Sequence, residues 1–160
     1  MIVYNPSDPK ADIIFNDRMV AWEKRNLTTP TASFILGEWV GLDANKFAVK
    51  ISSSGLATAI AFPAPVMTPT GRHDVAESEG ITVARGSYWM KTQIYKLSES
   101  FDFNSQLVVV SDGGIGKLGK LPAQAGAYLV VGRVTKPPVV DGTDFMEIEV
   151  YANPMIVVVS

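Results

Sequence analysis

Short apolar segments separated by turn-forming residues run the length of this chain, and their spacing constrains the fold more than any other feature. Clusters of Gly, Pro, Asn, Asp and Ser interrupt β-branched runs of about four to eight residues, the signature of strands rather than of helices. Residues 33–40 form the first such run, closed by a turn at 41–45. Residues 46–51 alternate as its hairpin partner, with Phe47, Val49 and Ile51 on one face and Lys50 on the other. Further strands are expected at 56–62, 65–68, 81–84, 88–97, 107–110, 127–134, 145–151 and 156–159. About ten short strands with no intervening helices specify a mainly β, single-domain antiparallel sandwich or barrel, not a βαβ array.

The chain is long enough for such a core. At 160 residues the surface scaling laws give roughly 25,000 Å² unfolded against about 7,800 Å² folded. The absence of cysteine excludes disulfides, thiolate catalysis and Cys-based zinc sites, and a single histidine, His73, excludes motifs that need two. A net charge of −2 argues against a general nucleic-acid binder. The longest apolar runs, such as 107–110 and 156–159, are far too short to span a membrane as a helix. The start Met-Ile-Val-Tyr-Asn-Pro lacks the basic and apolar regions of a signal peptide. A soluble protein with no membrane partner is therefore expected.

Residues 1–30 differ from the β-rich domain expected over 31–160. Breaker clusters at Asn5-Pro-Ser-Asp-Pro9 and Asn26-Leu-Thr-Thr-Pro-Thr31 enclose a segment without a clear hairpin. Within it the apolar positions fit neither period well, which leaves room for a short helix over 12–25. Ile13, Ile14, Phe15, Met19, Val20 and Trp22 are too many apolar groups for a solvated tail. An extended N-terminal arm, buried on its own core or on a partner, accounts for them.

The motifs that suggest chemistry have plainer explanations. Gly114-Ile-Gly-Lys-Leu-Gly119 matches a dinucleotide fingerprint, but that motif needs a helix starting within it. Pro122 and Gly126 follow too soon for a crossover helix, so the segment is expected to be a glycine-rich hairpin loop, with no cofactor. His73 and Asp74 are sequence neighbours, which on a strand point to opposite faces, and no Gly-x-Ser-x-Gly elbow accompanies them. Glu77 and Glu79 near Asp74, and Asp141-Gly-Thr-Asp144, are looser than a calcium loop requires. Arg72, Arg85, Lys91, Lys96, Lys117 and Lys120 are scattered among acids, as on a solvated surface. No catalytic constellation survives, and a non-enzymatic protein is expected.

The aromatics Trp39, Trp89, Tyr88, Tyr95, Phe101 and Phe103 sit in or beside expected strands, and most belong in the core. Alternation along 88–97 places Tyr95 on the face of Trp89, Lys91 and Gln93. An exposed subset would mark an interface, because aromatic anchors dominate binding energy.

The second half has a recognisable order. Gly86-Ser-Tyr-Trp-Met-Lys-Thr-Gln-Ile-Tyr95 leads to Phe101-Asp-Phe-Asn-Ser-Gln-Leu-Val-Val-Val-Ser-Asp-Gly-Gly114. Tyr128-Leu-Val-Val-Gly-Arg-Val134 and Phe145-Met-Glu-Ile-Glu-Val150 follow. This run, over residues 86–151, resembles the capsid decoration or cement proteins of tailed bacteriophage heads. The resemblance implies a β-rich virion protein, commonly a homotrimer, made in the host cytoplasm. Such a protein sits on the outer capsid surface, where it bridges major capsid protein subunits. The N-terminal region carries no family motif, so contact residues do not transfer. Strand addition by apolar ends is a physical mode that suits such an assembly. The candidate interface is Ile2, Tyr4, Ile13, Ile14, Phe15, Met19 and Trp22 at one end, with Met155 and Ile156 at the other. Competing roles are another virion part (tail tube, head completion or fibre base) and a β-sandwich carbohydrate-binding module stacking sugars on Trp39, Tyr88 or Trp89.

Overall fold

The computed structural model describes residues 2–3, 10–29, 32–52, 55, 63–67, 80–139 and 143–160, with backbone only for 2–3 and 15–19. Tyr4, the expected strand 56–62, His73, Asp74, Glu77, Glu79 and Asp141 lie outside the described residues. The fold is mainly β, and the described residues contain no helix. A six-stranded antiparallel sheet curls into a half-barrel. Its strands are β2 (Ala11–Arg25), β7 (Ile81–Thr92), β8 (Gln106–Asp112), β9 (Ile115–Lys120), β10 (Gly126–Lys136) and β11 (Met146–Val159), in the order β2-β7-β11-β10-β8-β9. A smaller sheet sets β4 (Trp39–Leu42) between β5 (Ala48–Lys50) and β6 (Ala64–Pro65), and β1 (Ile2–Val3) pairs in parallel with β3 (Phe34–Ile35).

Several segments depart from the sequence expectation for identifiable reasons. The expected strand 33–40 is split into β3 and β4 at Gly37, whose φ of 90° turns the chain. Residues 12–25 form strand β2 instead of a helix. Register shifts between Ile13 and Met19 move the inward positions from odd (Ala11, Ile13) to even (Val20, Trp22), so neither period is visible in the sequence. Segments 81–84 and 88–97 are one strand ending at Thr92. Tyr95 lies past that end and is buried, with its ring edge-on to Phe101 at 5.7 Å, whereas Trp89 is exposed. Residues 115–120, expected in a loop, are strand β9, paired residue for residue with β8 around the Gly113–Gly114 turn. Segments 145–151 and 156–159 are joined in the single irregular strand β11.

The two runs pair as the expected hairpin, from Val40↔Lys50 to Leu42↔Ala48, but Gly41 and Leu42, expected in the turn, belong to β4 and the turn falls at 43–47. Its facing differs: Ala48 is buried and Phe47, which precedes the strand, is exposed. Asp43 shapes the turn by accepting from the Thr28 hydroxyl at 2.6 Å and from the amides of Asn45 and Phe47 at 2.8 and 2.9 Å. The Thr28 bond, then the Phe47 amide, hold its carboxyl below the ordinary carboxylate value.

The core fills the curl. Trp39, Tyr88, Met90, Leu107, Leu118, Val134, Met146 and Ile148 belong to one buried cluster spanning both sheets. Each such side chain contributes roughly 1.5–3 kcal/mol of burial. The small sheet packs against the edge strand β9 so closely that a Cβ on Gly116 would fall 1.9 Å from the Trp39 carbonyl oxygen. Beside this contact lies Glu38, fully buried, whose carboxylate accepts from Lys50 Nζ at 2.6 Å, the Ile35 amide at 2.9 Å and the Gly116 amide at 3.3 Å. Glu38→Ala removes the acceptor for all three groups and is expected to cost about 3–5 kcal/mol. Glu38→Gln, which keeps one oxygen, should cost less. Urea denaturation of the two variants checks both the size and the order.

Candidate assembly interface

The second half of β11 leaves the sheet, and the reasons lie in its register. From Met146↔Thr92 to Val150↔Tyr88 it pairs with β7 on one side, while β10 pairs on the other. Past Tyr88 the edge of β7 is taken by the small sheet, through the Val66↔Val83 bridge and the Met67 amide donating to the Thr82 carbonyl at 3.0 Å. The two strands therefore fork. An open cleft of about 260 Å³, solvent at its mouth included, lies in the fork between Trp39, Pro65, Arg85, Tyr151 and Pro154. On the β10 side, residues 151–154 face the single residue Val131, because Val150 pairs with Gly132 and Met155 with Val130. Pro154, which has no N–H to give a ladder, sits in this bulge.

Beyond the bulge β10 and β11 continue as a two-stranded ribbon, from Val130↔Met155 to Gly126↔Val159. Directly opposed residues share a face, so the ribbon sorts into two sides. On the inner side Tyr128 and Val130 are buried, with Val157 and Val159 packed against them and against Val108. The outer side holds Ala127, Leu129, Ile156 and Val158, and there Ile156 is 66% and Val158 74% exposed. Met155, at the base of the ribbon, is 44% exposed. Among the described residues no strand pairs with the outer edge of β11 after Val150.

This surface differs electrostatically from the neighbouring part of the sheet. There Arg133 Nε donates to Glu149 at 2.5 Å and Nη1 to Asn104 at 2.6 Å, and Lys136 approaches Glu147 at 3.9 Å. The Glu149 bond, then the Glu149 charge, raises the Arg133 pKa. Tyr151 begins the neutral zone, its phenol pushed up by burial and then by Glu149. Residues 151–160 contain no charged side chain.

The sequence-derived candidates are distributed unevenly. Met155 and Ile156 lie on the exposed ribbon, and Ile14 is exposed on β2. Ile13 and Trp22 pack against the chain's own core. Phe15 and Met19 belong to β2 by backbone pairing with Trp89 and Ser87, and Ile2 pairs with Phe34. Leu129 and Val158 were not among the named candidates; the alternation of β10 opposite that of β11 is the signal that finds them. Trp39 and Tyr88 are buried and Trp89 is exposed, so the three do not share a sugar-stacking platform. Among the described residues no group of three or more His, Asp or Glu side chains is placed to hold a metal ion.

Comparison with protein-family models, with curated proteins and with solved structures returns no match.

The two faces of the ribbon should respond oppositely to charge. In dilute protein, Val158→Lys is expected to change stability by no more than about 0.5 kcal/mol, as for other exposed positions. Val130→Asp places an unpaired carboxylate in the buried face and should unfold the ribbon. Thermal melts, with far-UV circular dichroism, separate the two.

Proposed function

We propose that this chain is a structural, non-catalytic virion protein, a decoration subunit that binds the outside of a bacteriophage head and bridges major capsid protein subunits. The observation that carries this reading is the neutral apolar face of the β10–β11 ribbon. Large contiguous apolar surface is costly in water and marks a contact with another macromolecule. The resemblance of residues 86–151 to decoration proteins supplies the kind of partner.

Binding of this sort stabilises a shell by mass action. A ligand that binds only the assembled form adds about 2.7 kcal/mol per site when its free concentration is a hundred times Kd. Summed over the many equivalent sites of an icosahedral shell, modest single contacts suffice. The ribbon contributes by removing Ile156 and Val158 from water, at roughly 1.5–3 kcal/mol for each side chain fully buried.

The test is sedimentation of particles from the native source, followed by counting this chain against the dominant shell protein. The reading predicts a copy number near parity with the shell. A handful of copies per particle would assign it to a neck or tail, and absence from particles would overturn the virion role. With heads stripped of the protein, Val158→Lys should weaken rebinding by tenfold or more, while binding equal to wild type would remove the ribbon face from the contact.

A further inference from the structure

An unpaired strand edge is a template for pairing with another chain, and folds usually block it. The outer edge of β9 is covered: the Leu118 amide donates to the Ile94 carbonyl at 3.1 Å, and the Leu118 carbonyl accepts from the Lys96 amide at 2.8 Å. The edge strand β2 is broken by two register shifts and bears Asp12, Glu23, Lys24 and Arg25. The far half of β11 is different. Across the ribbon the Leu129 amide donates at 3.0 Å to the carbonyl of Gly55, which lies against Val108 of β8, so this bond points away from β11. Residues opposed in an antiparallel pair exchange both backbone bonds or neither, so Leu129 and Ile156 exchange none. The N–H and C=O of Ile156, and by alternation those of Val158, therefore point out of the ribbon, where no strand among the described residues meets them.

This edge runs into a closing fork. β7 and β11 are paired at Tyr88↔Val150 and separate beyond it, with Arg85 on β7 and Asn153 on β11 each three residues from that pair. Among the described residues that line the cleft between them, Arg85 is the charged one, beside Trp39, Pro65, Tyr151 and Pro154. Arg85 Nη1 lies 3.6 Å from Glu23, a carboxylate held more closely by Arg25. We propose that the edge takes the C-terminal strand of a partner protein, antiparallel to β11, with its terminal carboxylate in the cleft against Arg85. A strand added along Val158 and Ile156 toward the fork has to stop there, because the Tyr88↔Val150 pair leaves no gap for it. The fork therefore selects a chain end over an internal strand. Charge selects which end. A guanidinium binds a carboxylate through charge-assisted N–H donors and repels the ammonium of an N-terminus. Because β11 runs away from the fork, a strand whose carboxylate end points into it is antiparallel to β11.

The same geometry specifies the partner's tail. Its residues opposite Ile156 and Val158 share their exposed face, so apolar side chains there, two apart, cover both. The residues between them carry no such requirement. Main-chain bonds to the edge supply affinity, while the alternate apolar positions and the terminal carboxylate supply selectivity. The pairing does not rest on the shell-binding reading and is tested without particles.

The probe is the peptide Lys-Thr-Val-Thr-Val-Thr-Val, labelled with fluorescein at its N-terminus and made with either a free C-terminal carboxylate or a C-terminal amide. Fluorescence anisotropy follows its binding to the purified chain. The free acid should bind about tenfold tighter than the amide, the lower end for a hydrogen bond to a charged group. Arg85→Gln should bring the affinity for the acid down to that for the amide and leave the amide unchanged, which a general loss of structure would not do. Val158→Pro removes an outward N–H without touching the ladder to β10 and should weaken both peptides. Equal binding of acid and amide would mean that the edge takes an internal strand, and would overturn the proposal. A preference for the acid that survives Arg85→Gln would overturn it too, as would no binding of either peptide at millimolar concentration. Peptide affinity that falls as the chain concentration is raised would mean that a second copy holds the edge, with the same consequence. Acid-selective binding by a chain that is absent from particles would count against the shell reading alone.

Discussion

Glu38 lies between the two sheets without access to solvent, and the Lys50 ammonium and the amides of Ile35 and Gly116 all converge on its carboxylate. Its neighbours depend on that arrangement. The Gly116 contact draws β9 against β4, close enough that only glycine fits opposite the Trp39 carbonyl. With β4 held there, Trp39 enters the concave side of the large sheet and the small sheet caps the open side of the curl. A buried carboxylate is costly unless every lone pair it presents is answered. The three donors come from β3, β5 and β9, so the site forms only when these elements are correctly placed together.

Capping has a consequence beside the small sheet, where Trp39 and Pro65 also line the cleft with Tyr151 and Pro154. The small sheet takes up the edge of β7 at Thr82 and Val83, which leaves no room for β11 to stay paired there. The bulge at 151–154 then turns β11 away, and the ribbon it forms with β10 buries only its inner side. Apolar residues on the outer side of a two-stranded ribbon do nothing for the isolated fold. Their presence at Ile156 and Val158 is the observation on which the proposed contact with a shell rests.

Much of this was legible in the sequence. Turn spacing identified the mainly β fold and the β4–β5 hairpin, and the apolar run 155–159 stood out as an end needing cover. The misses share a physical cause, since each depends on an event outside the local pattern. The alternation in β2 changes phase because β7 dictates its register. The glycines of 114–119 resemble a loop until the close approach of Trp39 explains Gly116. Gly37 splits a run whose composition is continuous. Leu129 and Val158 become a surface only once the register of β10 on β11 is known, and the capping role of Glu38 needs contacts far apart in the chain.

Amide hydrogen exchange in dilute protein tests most directly whether the far half of β11 is an open edge. In dilute protein the amides of 147–150, paired on both sides, should be protected, while outward-facing amides within 155–159 should exchange freely. Protection of 155–159 would mean that the edge is already covered within one chain and would contradict the account.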